Sequence, residues 1–215
     1  MTIETDVHIN TPVRQMGEPL DKAKAALVMI HGRGATAESM LSLINDIGTE
    51  GFAYLAPQAA GNTWYPYPFM SPIEANEPAL SSALNKIERV IAQVAAAGIP
   101  AEKTVLIGFS QGACLTLEYA ARHAERYGGI IGLSGGLIGP VGTPRDYPGS
   151  LAGTPVFLGC SDVDSHIPLQ RVHESTEVLQ QLGGSVTERI YPGMGHTVNQ
   201  DEIDFVRQLL AEIVR

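Results

Sequence analysis

The sequence lacks several features that would mark whole classes of protein. Only two of its 215 residues are cysteine, Cys114 and Cys160, which favours buried thiols in a reducing compartment over a disulfide framework. No stretch reaches the roughly 20 apolar residues needed to span a bilayer. The opening residues, MTIETD, lack the basic start and apolar core of a signal peptide. We therefore expect a cytoplasmic protein without stable membrane insertion.

Positive charge is also scarce. The chain has 14 Lys and Arg against 23 Asp and Glu, a formal net charge of −9, and no Lys/Arg cluster interrupts this balance. An acidic surface repels phosphate backbones, so nucleic acid is not an expected partner. The length suits one α/β domain over residues 1–215, which can bury roughly 70 per cent of its unfolded surface. We expect a monomer or a homodimer.

Apolar runs alternate along the chain with segments of helical period. The predicted strands cover residues 3–9, 25–30, 52–56, 103–107, 127–133, 154–160 and 186–190, and the predicted helices cover 37–48, 78–97, 113–121, 168–182 and 201–214. Strands that read as continuous apolar runs between helices predict an α/β fold with a mostly parallel sheet and helices on both faces. The first strand can pair antiparallel at an edge.

The stretch Gly108-Phe109-Ser110-Gln111-Gly112 places a serine where a buried strand stops and a helix begins. Two glycines allow a turn too tight for a Cβ atom on either side. This arrangement is typical of a nucleophile elbow, in which the serine hydroxyl is presented beside the first amides of the helix. We therefore predict that Ser110 is a catalytic nucleophile, with a purely structural turn as the alternative.

A serine hydroxyl needs a base, and the base needs an orienting group. His196 follows the 186–190 strand and precedes the last helix, which is where open α/β sheets carry their chemistry. Between the serine and the histidine, the 154–160 strand runs into Asp162 and Asp164, and either acid can be the orienting group. The chain order Ser, Asp, His is the order found in α/β-hydrolases.

Stabilising groups for a substrate oxyanion are expected at the end of the 25–30 strand. The strand runs into His31-Gly32-Arg33-Gly34, where the glycines allow the backbone to turn an amide toward the reaction centre. We predict that the backbone N–H groups of Arg33 and Gln111 form the oxyanion hole. The ring of His31 is expected to brace this loop.

An aromatic loop, residues 61–72, carries more rigid apolar surface than a connecting segment needs. It holds the only tryptophan of the chain and three prolines. The loop either packs its rings on the domain or forms a wall or partial lid over the serine. In the second case four of its residues contact substrate: Trp64, Tyr65, Tyr67 and Phe69. The glycine- and proline-rich loop 134–153 is expected on the opposite rim.

Four of these motifs together resemble one family. They are His31-Gly32-Arg33-Gly34, Gly108-Phe109-Ser110-Gln111-Gly112, Asp164 four residues before Pro168, and Gly193-Met194-Gly195-His196. Their combination and order are similar to the carboxylesterase, lysophospholipase and acyl-protein thioesterase family of small α/β-hydrolases. The resemblance implies a cofactor-free serine hydrolase of small-molecule esters or thioesters, with Ser110, Asp164 and His196 as its triad. The family's D-x-x-x-P spacing selects Asp164 over Asp162.

Two departures from the family bear on the substrate. Arg33 and His166 stand where the family usually has aliphatic residues, and both bring polarity to the acyl side. With Asp164 used by the triad, Asp162 and His166 are too few for a metal site, and no metal is expected. We predict a carboxylesterase for short or compact acyl groups, with His166 contacting substrate. The alternatives are a thioesterase or lysophospholipase, a hydrolase of amides or lactones, and a catalytically silent binding protein.

Overall fold

The computed structural model describes residues 6–215, and within them seven strands form one sheet. The strands are β1 (Val13–Gly17), β2 (Ala25–Ile30), β3 (Phe52–Pro57), β4 (Thr104–Phe109), β5 (Gly129–Leu133), β6 (Pro155–Ser161) and β7 (Ser185–Tyr191). The α-helices are α1 (Ala37–Leu41), α2 (Ile44–Ile47), α3 (Ala79–Ala96), α4 (Gln111–Arg122), α5 (Leu169–Gln181) and α6 (Gln200–Ile213). The sheet order is β1-β3-β2-β4-β5-β6-β7. The predicted α/β-hydrolase architecture is confirmed.

The edge strand lies later in the chain than the sequence predicted. β1 pairs antiparallel with β3, from Val13 opposite Pro57 to Gly17 opposite Ala53, whereas the other strands pair in parallel. Of the predicted strand at 3–9, residues 3–5 lie outside the described part, and residues 7–9 form a turn. The turn forms because buried His8 donates its backbone N–H to Ser82 and not to a strand.

Side chains on the central strands alternate between two apolar layers. In β2, Ala26, Val28 and Ile30 pack on the face covered by α3, α4 and α5. The intervening Ala25, Leu27 and Met29 pack on the face covered by α1, α2 and α6. Each central strand is therefore apolar along almost its whole length, as expected for the part of a sheet that is buried on both faces. No helix within residues 6–215 has the length and apolar content needed to cross a membrane.

The predicted helix over residues 37–48 is two short helices. The hydroxyl groups of Ser39 and Ser42 donate to the backbone carbonyls of Thr36 and Ser39, each at 2.7 Å. Side-chain bonds of this kind compete with the helical backbone pattern, and α1 ends before Ser42.

Close packing at the start of α4 requires the two glycines around Ser110. A Cβ atom on Gly112 would lie 2.2 Å from the carbonyl oxygen of Ile30, and one on Gly108 would lie 2.2 Å from the carbonyl oxygen of Gly112. Contacts this short cannot be relieved by side-chain motion, because the obstructing atoms belong to the backbone. The glycines thus allow α4 to begin directly against β2 and place Ser110 at the carboxyl edge of the sheet.

Candidate active site

Ser110 occupies a turn whose backbone conformation is rare for a residue with a side chain. Its φ is 55° and its ψ is −121°, outside the regions that L-residues favour. The Ser110 N–H donates to the carbonyl oxygen of Leu133 in the neighbouring strand β5, at 2.9 Å. Backbone strain of this kind persists only where the surrounding structure enforces it, and it concentrates at functional sites.

Three predicted residues form a continuous hydrogen-bonded chain. Nε2 of His196 lies 2.8 Å from Oγ of Ser110, and Nδ1 of His196 lies 2.7 Å from Oδ2 of Asp164. An ionised carboxylate at Nδ1 keeps the ring proton on that nitrogen and leaves Nε2 able to accept a proton from the serine. The structure thus brings Ser110, His196 and Asp164 together in the geometry of a nucleophile, a base and an orienting acid.

The carboxylate of Asp164 is fully buried and fully hydrogen-bonded. Its Oδ1 accepts the backbone N–H groups of His166 at 2.8 Å and Ile167 at 3.1 Å. Burial by itself would raise the pKa of Asp164, but the bonds from His196 and the two amides outweigh it and lower the pKa below its ordinary value. Asp164 is therefore ionised at neutral pH. Burial raises the pKa of the neighbouring Cys160 thiol to about 12, so that thiol stays uncharged.

The second candidate acid, Asp162, contacts the loop that carries the histidine. Its Oδ1 accepts the backbone N–H of Gly193 at 2.8 Å. The hydroxyl of Ser161 accepts the N–H of Gly195 at 3.0 Å. These two bonds fasten the residues just before His196 to the end of β6, so Asp162 holds the position of this loop and does not contact the ring.

A buried glutamate lies at the start of the helix that follows the histidine. Glu202 and Asn199 each accept the other's backbone N–H, at 2.8 and 3.0 Å, which caps α6. Oε1 of Glu202 has no hydrogen-bond partner among residues 6–215. Burial raises the pKa of Glu202 to about 7, the Asn199 bond opposes this, and the charge of Asp201 adds to it.

The predicted oxyanion residues lie on either side of the serine. Gln111 is the first residue of α4, and the first N–H groups of a helix have no acceptor within the helix. The backbone N–H of Arg33 meets no acceptor among residues 6–215. His31 braces this loop as predicted, because its Nδ1 lies 2.8 Å from the carbonyl oxygen of Gly32 and its Nε2 accepts the N–H of Ala59 at 3.1 Å.

The side chains of the same two residues hold the aromatic loop. The guanidinium of Arg33 donates to the carbonyl oxygens of Tyr65 at 2.9 Å, Pro66 at 3.0 Å and Tyr67 at 3.0 Å. The amide of Gln111 accepts the N–H of Trp64 at 3.0 Å and donates to the carbonyl of Tyr65 at 2.8 Å. These roles could not be predicted from the sequence, because no local pattern marks a side chain that bonds to a loop some 30 or 45 residues away.

Further contacts fix the aromatic loop, and sequence reasoning missed the residues that make them. The indole N–H of Trp64 donates to the carbonyl of His31 at 2.8 Å. Nε2 of His8 lies 2.9 Å from the carbonyl of Trp64. Asn76 accepts the N–H of Tyr67 at 2.8 Å and donates to the carbonyl of Pro68 at 3.3 Å. The loop is therefore a hydrogen-bonded wall of the site.

A cavity of about 410 Å³ opens beside Ser110. Its walls include Tyr65, Phe69, His166, Ile167 and Cys114. Ser110, His196, Arg33 and Gln111 also line it. The volume lies toward the lower end of the range for small-molecule sites. The lining is mainly apolar, which suits an acyl or aryl group.

Two of the predicted substrate-contacting residues lie elsewhere. Trp64 is completely buried behind the cavity, because its indole N–H is committed to His31. Tyr67 is 55% exposed and is not part of the cavity wall. Tyr65, Phe69 and His166 do line the cavity. The aromatic wall therefore consists of two rings and two prolines, Pro66 and Pro68, rather than four rings.

Two further expectations concern the surroundings of the site. No residue of the loop 134–153 lines the cavity, so the expected opposite rim is formed instead by His166 and Ile167. Among residues 6–215, no three His, Cys, Asp or Glu side chains converge as a metal site would require. Both cysteines are buried and unpaired.

Comparison with known proteins assigns the chain to a family. The sequence matches the phospholipase/carboxylesterase family over residues 13–214. This chain belongs to the phospholipase/carboxylesterase family. As a member of that family it resembles the crystal structure of a phospholipase/carboxylesterase from Dyadobacter fermentans, with a TM-score of 0.91 and 45% sequence identity. That superposition covers 94% of this chain and 97% of the other.

Other relatives share less sequence identity with this chain. Acyl-protein thioesterase 1 of Gibberella zeae is 35% identical over 126 residues, which are 56% of this chain and 52% of the fungal protein. The aligned part thus spans about half the length of that relative. A probable carboxylesterase of Arabidopsis thaliana, described as SOBER1-like, is 23% identical over 88% of this chain and 79% of its own length.

Proposed function

We propose that this protein is a serine carboxylesterase that hydrolyses short-chain or compact carboxylic esters. The observation that carries the proposal is the hydrogen-bonded chain from Ser110 through His196 to Asp164, at the edge of an apolar cavity. Membership of the phospholipase/carboxylesterase family supports it.

The reaction proceeds in two halves. Oγ of Ser110 attacks the ester carbonyl while Nε2 of His196 takes the hydroxyl proton, and Asp164 stabilises the imidazolium that forms. The carbonyl oxygen becomes an oxyanion held by the N–H groups of Arg33 and Gln111, each donor contributing about 3 kcal/mol. His196 then passes its proton to the departing alcohol, which leaves an acyl-serine. His196 then takes a proton from the water that attacks the acyl-serine and returns it to Oγ of Ser110 as the acyl–oxygen bond breaks, which releases the acid and restores the serine.

The size of the cavity supports compact acyl groups. Tyr65 and Phe69 form a wall on a loop whose backbone is held by Arg33, Gln111 and Asn76. A fixed wall stops the gain of about 0.8 kcal/mol per methylene once the cavity is full. We therefore expect kcat/KM to peak at acyl chains of about two to six carbons, where burial is greatest without steric cost.

The nucleophile is tested with Ser110→Ala. We expect kcat for p-nitrophenyl butyrate to fall by roughly 10³-fold or more, and labelling by a fluorophosphonate probe to disappear. Ser81→Ala is the matched control, because Ser81 lies on α3 and does not line the cavity. A Ser110→Ala enzyme that keeps a tenth of its rate would show that another residue is the nucleophile. Absence of labelling in the unmodified protein would favour a silent binding protein.

Acyl-protein thioesterase activity is the second candidate, favoured by the similarity to the enzyme of Gibberella zeae. The triad serves thioesters equally well, so acyl length is the discriminating property. A p-nitrophenyl series from acetate to palmitate, assayed below micellar concentrations, separates the two. A maximum at ten carbons or beyond would contradict the short-chain assignment and support the thioesterase or lysophospholipase activity.

A further inference from the structure

The cavity wall contains hydrogen-bond donors but no free carboxylate. Four of its lining residues outside the triad carry nitrogen or hydroxyl donors: Gln111, whose amide is already bonded to the Tyr65 carbonyl, and Arg33, His166 and Tyr65. None of the lining residues within the described part of the chain is Asp or Glu. Asp164, the nearest acid to the histidine, is 0% exposed and bonded to His196 and two amides. A protein with a net charge of −9 thus lines this cavity with an arginine, whose guanidinium lies on the aromatic loop beside it, and with no acid.

Acceptor groups on the aromatic loop are already occupied. The carbonyl oxygens of the five consecutive residues 65–69 each accept a hydrogen bond, three of them from the guanidinium of Arg33. The carbonyl of Phe69, for example, accepts the N–H of Gly139 at 2.8 Å. A ligand in the cavity therefore meets a wall whose backbone acceptors have partners, which disfavours ligands that only donate.

Donor capacity, in contrast, remains. A guanidinium has five N–H groups, and three of those of Arg33 are used on the loop. Its charge is not neutralised, because no carboxylate among residues 6–215 pairs with it. The ring nitrogens of His166 make no hydrogen bond within the same residues, although the ring stands 4.7 Å from that of His196.

Tyr65 adds a third donor. Its side chain is 1% exposed, and among residues 6–215 its hydroxyl meets only the thiol of Cys114, a weak hydrogen-bond partner. Burial raises the pKa of Tyr65 well above its ordinary range, so the hydroxyl keeps its proton. A buried hydroxyl with so weak a partner can still donate to a ligand in the cavity that Tyr65 and Cys114 line.

Resting on the proposed function, we infer that the cavity selects esters whose acyl part carries an anionic group, a carboxylate above all. A carboxylate only accepts hydrogen bonds, and it bonds to guanidinium more strongly than a neutral acceptor does. Arg33 supplies the charge, and His166, on the opposite rim of the same cavity, supplies a further donor. The substrate class is thereby narrowed from compact esters to monoesters of short dicarboxylic acids.

The experiment compares two nearly isosteric substrates, monoethyl succinate and ethyl succinamate, which differ by a carboxylate against a neutral amide. Their kcat/KM values are measured by titration of released acid at pH 8, and their binding to Ser110→Ala is measured by calorimetry. We expect the unmodified enzyme to prefer the carboxylate by about tenfold, as a charge-assisted hydrogen bond predicts. The same preference is expected in binding to Ser110→Ala.

Substitutions at position 33 test whether the Arg33 side chain causes the preference for the carboxylate substrate. Arg33→Met should reduce the ratio to about one, and Arg33→Lys should keep part of it because the charge remains. Asn76→Ala is the matched control: it removes two bonds to the aromatic loop without removing charge. It should change both substrates equally and leave the ratio as it is.

The outcomes of these measurements either uphold or overturn the carboxylate preference. A ratio at or below one in the unmodified enzyme and in Ser110→Ala binding overturns the inference. The inference also fails if Arg33→Met keeps the substrate ratio of the unmodified enzyme. It fails as well if Asn76→Ala lowers that ratio as much as Arg33→Met does. Preferential binding of the carboxylate without hydrolysis of either ester would uphold the inference while refuting the proposed esterase activity, so the two failures are distinguishable.

Discussion

Replacing Glu202 by Gln should remove most of the pH dependence of stability that this residue causes. The carboxyl is 0% exposed, its Oε1 lacks a partner within residues 6–215, and its pKa is about 7 in the folded protein against 4.5 as its ordinary value. Between these two pH values the folded state binds a proton that the unfolded chain has lost. Stability therefore falls as the pH rises from 4.5 to 7, by about 3 kcal/mol in total.

Glutamine keeps the oxygen that accepts the Asn199 N–H and carries no charge. We expect the melting temperature of the unmodified protein to drop by about 6–12 °C relative to Glu202→Gln between pH 5 and pH 8, given about 2–4 °C per kcal/mol for a chain of this size. Scanning calorimetry at steps of half a pH unit measures the difference. Glu212→Gln, an exposed position on the same helix, controls for net charge. Parallel curves for the unmodified protein and Glu202→Gln would refute the reasoning.

Three further substitutions test other parts of the structure. Asp164→Asn should lower kcat by about 10⁴-fold, while Asp162→Asn, which keeps an oxygen for the Gly193 N–H, should lower it far less; a reversed order in steady-state assays would reassign the acid. Gly112→Ala should destabilise the fold by at least about 3 kcal/mol in urea titrations, since its Cβ would lie 2.2 Å from a backbone oxygen; an unchanged midpoint would contradict this. Tyr65→Phe should raise stability by about 1 kcal/mol in the same titrations, because it removes a buried hydroxyl whose only partner among residues 6–215 is the weakly bonding Cys114 thiol, and a loss of about 1 kcal/mol would mean that the hydroxyl has a stronger partner in solution.

Local sequence signals predicted the central sheet well. Buried parallel strands leave a continuous apolar run, and Gly108 and Gly112 mark the turn around Ser110 by themselves. The edge strand β1 was misplaced because four of its five residues are exposed and carry no apolar pattern. The signal at residues 3–9 was apolar alternation, but the buried polar contacts of His8 make a turn of residues 7–9.

The candidate site also contains residues that could be predicted from the sequence and residues that could not. Ser110, Asp164 and His196 follow strand ends, and strand ends can be read from the sequence, so their meeting could be foreseen. The roles of Arg33, Gln111 and Asn76 could not, because each side chain bonds to backbone carbonyls or amides of the aromatic loop and such acceptors have no residue-specific signature. Trp64 was assigned to the substrate wall on its chemistry, and only packing shows that it faces away.

The double use of Arg33 and Gln111 has a consequence for how such an enzyme can be altered. In the proposed mechanism each residue offers its backbone N–H to the oxyanion, while its side chain bonds to the aromatic loop. A designer who grafts a longer loop to admit larger substrates also removes the partners of these side chains, so a change in selectivity brings a change in turnover. Loop 61–72 and positions 33 and 111 should therefore be recombined as one block, and libraries that vary the loop alone should yield mostly inactive clones.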